Sequence, residues 1–214
     1  MGADFTLAVF AKAPEPGQVK TRLRPGLNDA QAARLAAAFV LDTLHKVARP
    51  GRPVTIYHAG DRALLEPLAP PGILWAEQGG GDLGARMARV PAPCLILGAD
   101  SPHLPLSLLR AALAAISAHD VVLGPAEDGG YFLIGLRAPQ PALFDGIAWG
   151  TGNVLAQTLT QADALGLVVH QMPPWYDLDT PADLHRLVRD LEAVPPGSED
   201  DCPATRVALK EIFP

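Results

Sequence analysis

Short apolar runs and amphipathic stretches alternate along most of the chain. Residues 6–10, 54–57, 73–76, 94–97, 121–123, 131–134 and 167–169 are runs rich in Val, Leu, Ile and aromatic side chains, too short for helices, and they predict buried strands. Between the first two, Ala33, Ala36, Phe39, Val40, Leu44 and Val47 recur at helical spacing, and Asn28 or Asp29 stands where it can cap the first turn, which predicts a helix over 29–47. Residues 106–116, 154–165 and 182–191 predict further helices. Strand and helix in alternation imply an α/β fold: a single three-layer α/β/α domain built on a mostly parallel sheet. One segment departs from the rule. In "DVVLGPAEDGGYFLIGL" two apolar runs flank Asp128, Gly129 and Gly130 with no room for a helix, so an antiparallel pair is expected and the sheet is mixed. The domain is expected to span residues 1–192. From Ala193, "AVPPGSEDDCP" reads as a flexible tether, and residues 193–214 as a tail with room for one short helix.

Charge and composition narrow the function. A net charge of −6 on 214 residues argues against nucleic acid as a partner, because an acidic surface repels a phosphate backbone. No stretch approaches the roughly 20 uninterrupted apolar residues of a membrane helix. Even residues 32–44 carry Arg34 and Asp42. With no basic start leading into a long apolar segment, a cytoplasmic protein is expected. Cys94 and Cys202 stand far apart, outside any metal-ligand spacing, and read as plain thiols. Against this acidic background, "FAKAPEPGQVKTRLRP" sets Lys12, Lys20, Arg22 and Arg24 against Glu15 alone, directly after the first strand. Open α/β sheets bind ligands beyond the carboxyl ends of their strands, so a locally basic loop there suggests a small anionic ligand.

The loop is not the Gly-rich phosphate loop of nucleoside triphosphatases, since no earlier glycine matches Gly17 at the required spacing. It shares the physics. Proline stiffening lowers the entropy of ordering, Gly17 admits close backbone approach, and Lys20 and Arg22 supply charge-assisted donors for phosphate. In "EQGGGDLGARM", Gly79, Gly81 and Gly84 have the spacing of a dinucleotide fingerprint, but Pro91 and Pro93 cut the following helix short and Asp82 stands where a pyrophosphate would approach. A loop contacting base or ribose, or a structural turn, is the better reading. Asp100, off the end of the strand in "LILGADSPHLP", is either a turn residue or a ligand for Mg²⁺, which needs only one or two carboxylates. In "WYDLDTPADL", Thr180, Pro181 and Asp183 form a helix start, which leaves Asp177 and Asp179 free and Asp179 a candidate second metal ligand. Asp128 either shapes a tight turn or acts as a general base, with Gly129, Gly130 and Tyr131 admitting an acceptor.

The segments "FAKAPEPGQVKTRL", "GDLGARM", "GADSPHLP", "GPAEDGGYFLIGL" and "YDLDTPADL", in this order, resemble the glycosyltransferase-A, or nucleotide-diphospho-sugar transferase, superfamily, and within it an uncharacterised bacterial branch that carries a glycosyltransferase label. The resemblance runs from about Phe5 to Leu191. It implies a nucleotide-dependent transferase with Mg²⁺ or Mn²⁺ at Asp100. The "KTRL" segment is similar to the phosphate loop of phospholactate guanylyltransferases and, more distantly, of molybdenum-cofactor guanylyltransferases. That likeness assigns triphosphate contacts to Lys20 and Arg22, with Ala11, Lys12 and Gly17 beside them. Gln78, Gly79, Gly81, Asp82 and Gly84 would correspond to the loop near the base. Two reactions fit: nucleotidyl transfer from a nucleoside triphosphate to a small phosphorylated acceptor, or glycosyl transfer from a nucleotide sugar. The Asp-x-Asp motif of many glycosyltransferases is replaced here by Asp100-Ser101-Pro102. A non-catalytic nucleotide sensor and a dinucleotide-dependent oxidoreductase are the remaining alternatives.

Overall fold

The computed structural model describes residues 5–24 and 26–213. Seven strands form one sheet: β1 (Thr6–Lys12), β2 (Val54–Ala59), β3 (Leu74–Glu77), β4 (Cys94–Gly98), β5 (Val121–Pro125), β6 (Tyr131–Leu136) and β7 (Val169–Gln171). Their order across the sheet is β3-β2-β1-β4-β6-β5-β7. All neighbours run parallel except β6, which is antiparallel to both β4 and β5. The expected mixed sheet is therefore present, and β1 is an inner strand, so its loop opens at the middle of the sheet's carboxyl edge.

The alternation of the side chains fills both faces. Leu7 and Val9 of β1 and Leu95 and Leu97 of β4 pack with Val40, Leu44 and Val47 of helix α1 (Asp29–Ala48) and with Leu106, Leu109 and Ala112 of α3 (Leu106–Ala115). Ala8, Cys94 and Ile96 point the other way, toward Met87 of α2 (Leu83–Met87) and Ala162 of α4 (Val154–Ala164). Asn28 caps α1, accepting from Gln31 N while the Gln31 side chain accepts from Asn28 N. Thr180 and Asp183 form the same reciprocal box at the start of α5 (Pro181–Glu192), with Pro181 in the first turn where a missing N–H costs nothing. Both cysteines are buried thiols; burial pushes Cys94 up to about 12 and Cys202 up to about 11, which leaves them inert at neutral pH. No helix among the described residues is long and apolar enough to cross a membrane.

The last segment differs from the expected tether. The helix is there, α6 (Pro203–Ile212), and Leu209 and Ala208 complete a core with Leu35 and Phe39 on the back of α1 and Leu184 and Leu187 of α5. The polar residues that suggested flexibility are tied down. Asp200 Oδ1 accepts from Leu106 N at 2.7 Å, and Asp201 accepts from Gly197 N at 2.7 Å and from Arg206 Nε at 2.7 Å. Composition favours disorder only where the polar groups find no partners in the fold, and here they do.

Candidate active site

The register of β1 and β4 builds the site. Phe10 pairs with Gly98, and Ala99 N continues the ladder to Phe10 O at 3.1 Å, so Asp100 leaves β4 beside the start of the basic loop. The loop folds back on itself: Lys12 Nζ donates to Gln18 O at 2.8 Å, Arg24 donates to Gly17 O at 3.1 Å and to Asp29 at 2.9 Å, and Gly17 takes a positive φ of 79°. At its end Lys20 has φ 47°, and it is the only non-glycine residue with positive φ among the described residues. That left-handed backbone costs about 1 kcal/mol for a side chain with a Cβ. It turns the Lys20 side chain inward, where only 4% stays exposed.

Lys20 Nζ lies 2.9 Å from Asp100 Oδ1 and 3.1 Å from Asp179 Oδ1, and Arg22 Nη1 lies 3.2 Å from Asp179 Oδ2. Burial works against the Lys20 charge, but Asp100 and then Asp179 outweigh it and hold its pKa above the ordinary lysine value. The Asp179 N–H donates to Asp183 Oδ2 at 3.1 Å, which joins the residue to the start of α5. Beside them Asp177 accepts from Ser101 Oγ at 2.6 Å, and burial, with the nearby charge of Asp100, pushes its carboxyl up to about 6 against the Ser101 hydrogen bond. Three segments remote in sequence, the first loop, the end of β4 and the approach to α5, thus place two cations and three carboxylates at one point.

Three adjoining pockets that share lining residues surround this point. One of about 290 Å³ is lined by Gln18, Lys20, Arg22, Asp100 and Asp179. A second, of about 310 Å³, shares Lys12 and Asp100 with it and reaches Gln78, Tyr131 and Asp177. The third, of about 350 Å³, contains Asp128, Gly130, Tyr131, Trp149 and Thr151 and meets the first at Arg22. Lys12, Lys20, Arg22, Gln78, Asp100, Asp128, Gly130, Tyr131 and Asp179 of the sequence-derived set all line this cleft.

The remaining positions lie around it. Ala11 is buried, and its carbonyl accepts from Gln78 Nε2, which also donates to Tyr57 O at 3.0 Å. Gly79 and Gly81 take positive φ in a turn whose carbonyls are held by arginines, Gln78 O by Arg89 at 3.0 Å and Gly81 O by Arg86 at 3.0 Å. Asp82 caps α2 through Ala85 N at 2.8 Å. Gly84 sits under Trp149, whose ring a Cβ would meet at 2.7 Å. Asp128 Oδ1 accepts from Gly130 N at 2.9 Å, a turn bond, and the residue is exposed. The Gly129 backbone touches the next loop so closely that a Cβ would lie 2.1 Å from Gly152 O. Sequence reasoning missed Ser101, Trp149 and Thr151. "AWGTGNV", a Trp beside a Gly-Thr-Gly turn at a helix start, was the available signal.

His103 lies three residues beyond Asp100, tilted against the stacked pair Trp175 and Tyr176 with ring centroids 5.4 and 4.2 Å away, and both its ring nitrogens are buried without a partner. Burial, reinforced by Lys46 and Arg186, lowers its pKa from 6.5 to about 3. The folded chain keeps His103 neutral while the unfolded chain takes up a proton, so this residue makes stability fall as pH drops from 6.5 toward 3, by about 1.4 kcal/mol per unit at the steepest. Asp177 acts in the opposite sense, with folded stability falling as pH rises from 3.8 through about 6. The difference between wild type and His103→Gln in urea midpoints across pH 4 to 7 isolates the histidine: the variant loses the acid-side decline, and parallel profiles would contradict it.

Residues 40–151 match the bacterial family described as "Uncharacterized protein conserved in bacteria (DUF2064)". A crystal structure of a "putative nucleotide-diphospho-sugar transferase" from Desulfovibrio desulfuricans G20 is 33% identical, with a TM-score of 0.85 over 99% of this chain and 97% of that one. More distant structures share the fold. Rv0371c of Mycobacterium tuberculosis H37Rv, in complex with manganese, is 19% identical, with a TM-score of 0.51 over 88% of this chain and 100% of that one. The inositol-1-phosphate CTP transferase of T. maritima is 13% identical, with a TM-score of 0.52 over 98% of each. No curated protein matches the chain in sequence. A family match over more than half of the residues, and a relative one-third identical along nearly the whole length, establish that the chain belongs to the DUF2064 family and has the nucleotide-diphospho-sugar transferase fold.

Proposed function

We propose that the protein is a nucleotide-dependent transferase that moves a nucleotidyl group from a nucleoside triphosphate to a small phosphorylated acceptor. One observation carries this reading: Lys20 and Arg22, the loop's two phosphate-type cations, converge with Asp100 and Asp179 in one chamber, which meets an acceptor-sized chamber at Arg22. The triphosphate lies along the basic loop. An oxygen of the acceptor phosphate attacks the α-phosphorus, the bond to the bridging oxygen breaks, and pyrophosphate leaves with the electron pair. Lys20 and Arg22 neutralise the charge that gathers on the departing pyrophosphate, and the pre-ordered loop meets it without reorganising. No covalent intermediate on the protein is required.

Asp100 and Asp179 are the residues that would hold a divalent cation. They pass the test of fit, since one Oδ1 of each already lies within 3.1 Å of a single positive centre, the Lys20 ammonium. No group of three or more His, Cys, Asp or Glu side chains forms a closed cage among the described residues, so substrate oxygens would complete the shell, as is usual for Mg²⁺. The manganese complex of Rv0371c supports a divalent metal in this fold, and the CTP transferase of T. maritima supports a triphosphate substrate. Such an ion supplies charge neutralisation on the phosphate oxygens. The second reading, glycosyl transfer from a nucleotide sugar, is favoured by the name of the relative at 33% identity.

A thermal-shift panel separates them. Nucleoside triphosphate with Mn²⁺ at about 100 times its dissociation constant stabilises the folded chain by about 2.7 kcal/mol, a shift of about 5–11 °C at this size. The expected result is stabilisation by at least one triphosphate and a smaller effect from nucleotide sugars. The reverse order would replace this reading by glycosyl transfer, and no shift from either class would remove the nucleotide altogether.

A further inference from the structure

We infer that His119 and His170 form a peripheral site for a borderline divalent transition metal of the Zn²⁺ class. Neither residue lines the pockets around Asp100. The two ring centroids lie 4.8 Å apart, with planes at 39°. Zinc holds imidazole nitrogen at about 2.0–2.1 Å, so two rings that share one such ion have centroids roughly 4.5–5.3 Å apart. The pair already has that separation. His119 Nδ1 lies 2.9 Å from Ala115 O. A carbonyl only accepts, so Nδ1 carries the proton and Nε2 keeps its lone pair, the same backbone bond that orients the rings of metal-binding histidines. His119 Nε2 and both ring nitrogens of His170 bond to no described residue, and none of the three is shut away from solvent.

The fold brings the rings together before any ion arrives. His170 is the middle residue of β7 and pairs with Val122 of β5. Opposed residues share a face of the sheet, and Val122 packs with Leu109, Ala112 and Ile116 of α3 and its cap. His170 therefore stands on the α3 side, where His119 arrives from the turn that follows α3. The next residue locks the approach. Asp120 N donates to Val168 O at 2.9 Å while Asp120 Oδ2 accepts from Val168 N at 2.9 Å, so a reciprocal pair clamps the two segments that carry the histidines. Asp120 Oδ1 is held by Arg137. With that carboxylate spent on the clamp, no third His, Cys, Asp or Glu joins the pair among the described residues, and water fills the remaining positions. Two imidazoles select Cu²⁺, Ni²⁺ or Zn²⁺ over Mg²⁺ and Mn²⁺, which favour oxygen ligands. The carbonyl end of α3 adds a field that favours a cation. An ion here staples β7, a three-residue strand at the end of the sheet, to the turn that enters β5.

The test titrates the untagged full-length chain with Cu²⁺, read by electron paramagnetic resonance, and with Zn²⁺, read by thermal shift. Excess Mg²⁺ is kept present to occupy the carboxylates of the candidate active site. The expected result is one Cu²⁺ per chain with coupling to two imidazole nitrogens, and a melting temperature raised by Zn²⁺. His119→Gln and His170→Gln should each weaken Cu²⁺ binding about tenfold or more and remove the Zn²⁺ shift. Their metal-free melting temperatures should stay near that of wild type, since both rings are only half-buried. His185→Gln, which alters an exposed histidine elsewhere, should bind both ions as wild type does. Coupling to a single nitrogen, or loss in one variant alone, would reduce the site to one surface histidine and overturn the inference. Equal affinity in wild type and in the double variant His119→Gln/His170→Gln would put the ion elsewhere, with the same consequence. If neither ion binds, the two rings are a packing contact and the site does not exist.

Discussion

Lys20→Met is expected to separate nucleotide binding from metal binding, weakening the first and strengthening the second. In the free protein the Lys20 ammonium and a divalent cation compete for the same two oxygens, Asp100 Oδ1 and Asp179 Oδ1, at 2.9 and 3.1 Å. Removing the ammonium leaves the carboxylates facing one another with Arg22 alone as counter-charge, so Mn²⁺ affinity without nucleotide should rise about tenfold, which is about 1.4 kcal/mol. Triphosphate loses a charge-assisted donor, and kcat/KM should fall about 100- to 1,000-fold, the range seen when one pre-organised electrostatic donor is removed. Fold stability should change little. Although Lys20 is nearly inaccessible, the Asp100 side chain is 63% exposed and that of Asp179 38%, so solvent screens the pair and about 1 kcal/mol is at stake. Lys20→Gly provides the control, since it removes the ammonium and also relieves the φ of 47°. It should match Lys20→Met in function and exceed it in stability. Electron paramagnetic resonance of free Mn²⁺ reads the metal arm directly. An unchanged Mn²⁺ affinity in both variants would remove Asp100 and Asp179 as a cation site, and an unchanged nucleotide affinity would remove Lys20 from the phosphates.

The contrast between what the chain reveals locally and what it conceals follows from the range of the interactions. Strands, the helix over α1 and the break at Asp128 were legible because period and turn chemistry act within a few residues, and the resulting sheet order placed β1 and its loop where a ligand would be met. The cap of α5 was legible for the same reason. Contacts made across the fold were not. Nothing near Ser101 announces that its hydroxyl meets Asp177, and nothing near Lys20 announces Asp179 at a separation of 159 residues. The glycine loop shows a subtler limit. A small residue required by a ligand and one required by a packed ring give the same letter, and only the position of Trp149 separates them at Gly84. The C-terminal segment was misread because Pro, Gly, Ser and Asp in succession score as solvent-seeking, whereas here the acids have backbone amides to bind.

That segment carries the second large effect. Lys46 of α1 is 5% exposed, and its Nζ donates to Pro102 O at 2.7 Å, Leu104 O at 3.1 Å and Asp200 O at 3.2 Å. One ammonium thus ties together α1, the turn that follows Asp100 and Ser101, and the approach to α6. One turn earlier on the same helix, buried Asp42 accepts from Ala204 N at 3.1 Å and Thr205 N at 2.7 Å, pinning the first turn of α6. Lys46→Met fills much the same volume but leaves Leu104 O without this donor, Pro102 O and Asp200 O with the weak Cys202 thiol to share, and Asp42 without the Lys46 charge. The expected loss is about 3 kcal/mol, or about 6–12 °C in melting temperature. Function should suffer beyond stability, because the turn that Lys46 holds is the one that presents Asp100 and Ser101. At a temperature where the variant remains folded, Mn²⁺ and triphosphate should each bind several-fold more weakly than to wild type, whereas Leu209→Ala, which loosens α6 from its apolar side, should lower stability by about 3 kcal/mol and leave affinity intact. Equal affinities in both variants would mean that the C-terminal segment holds the fold but does not position the site.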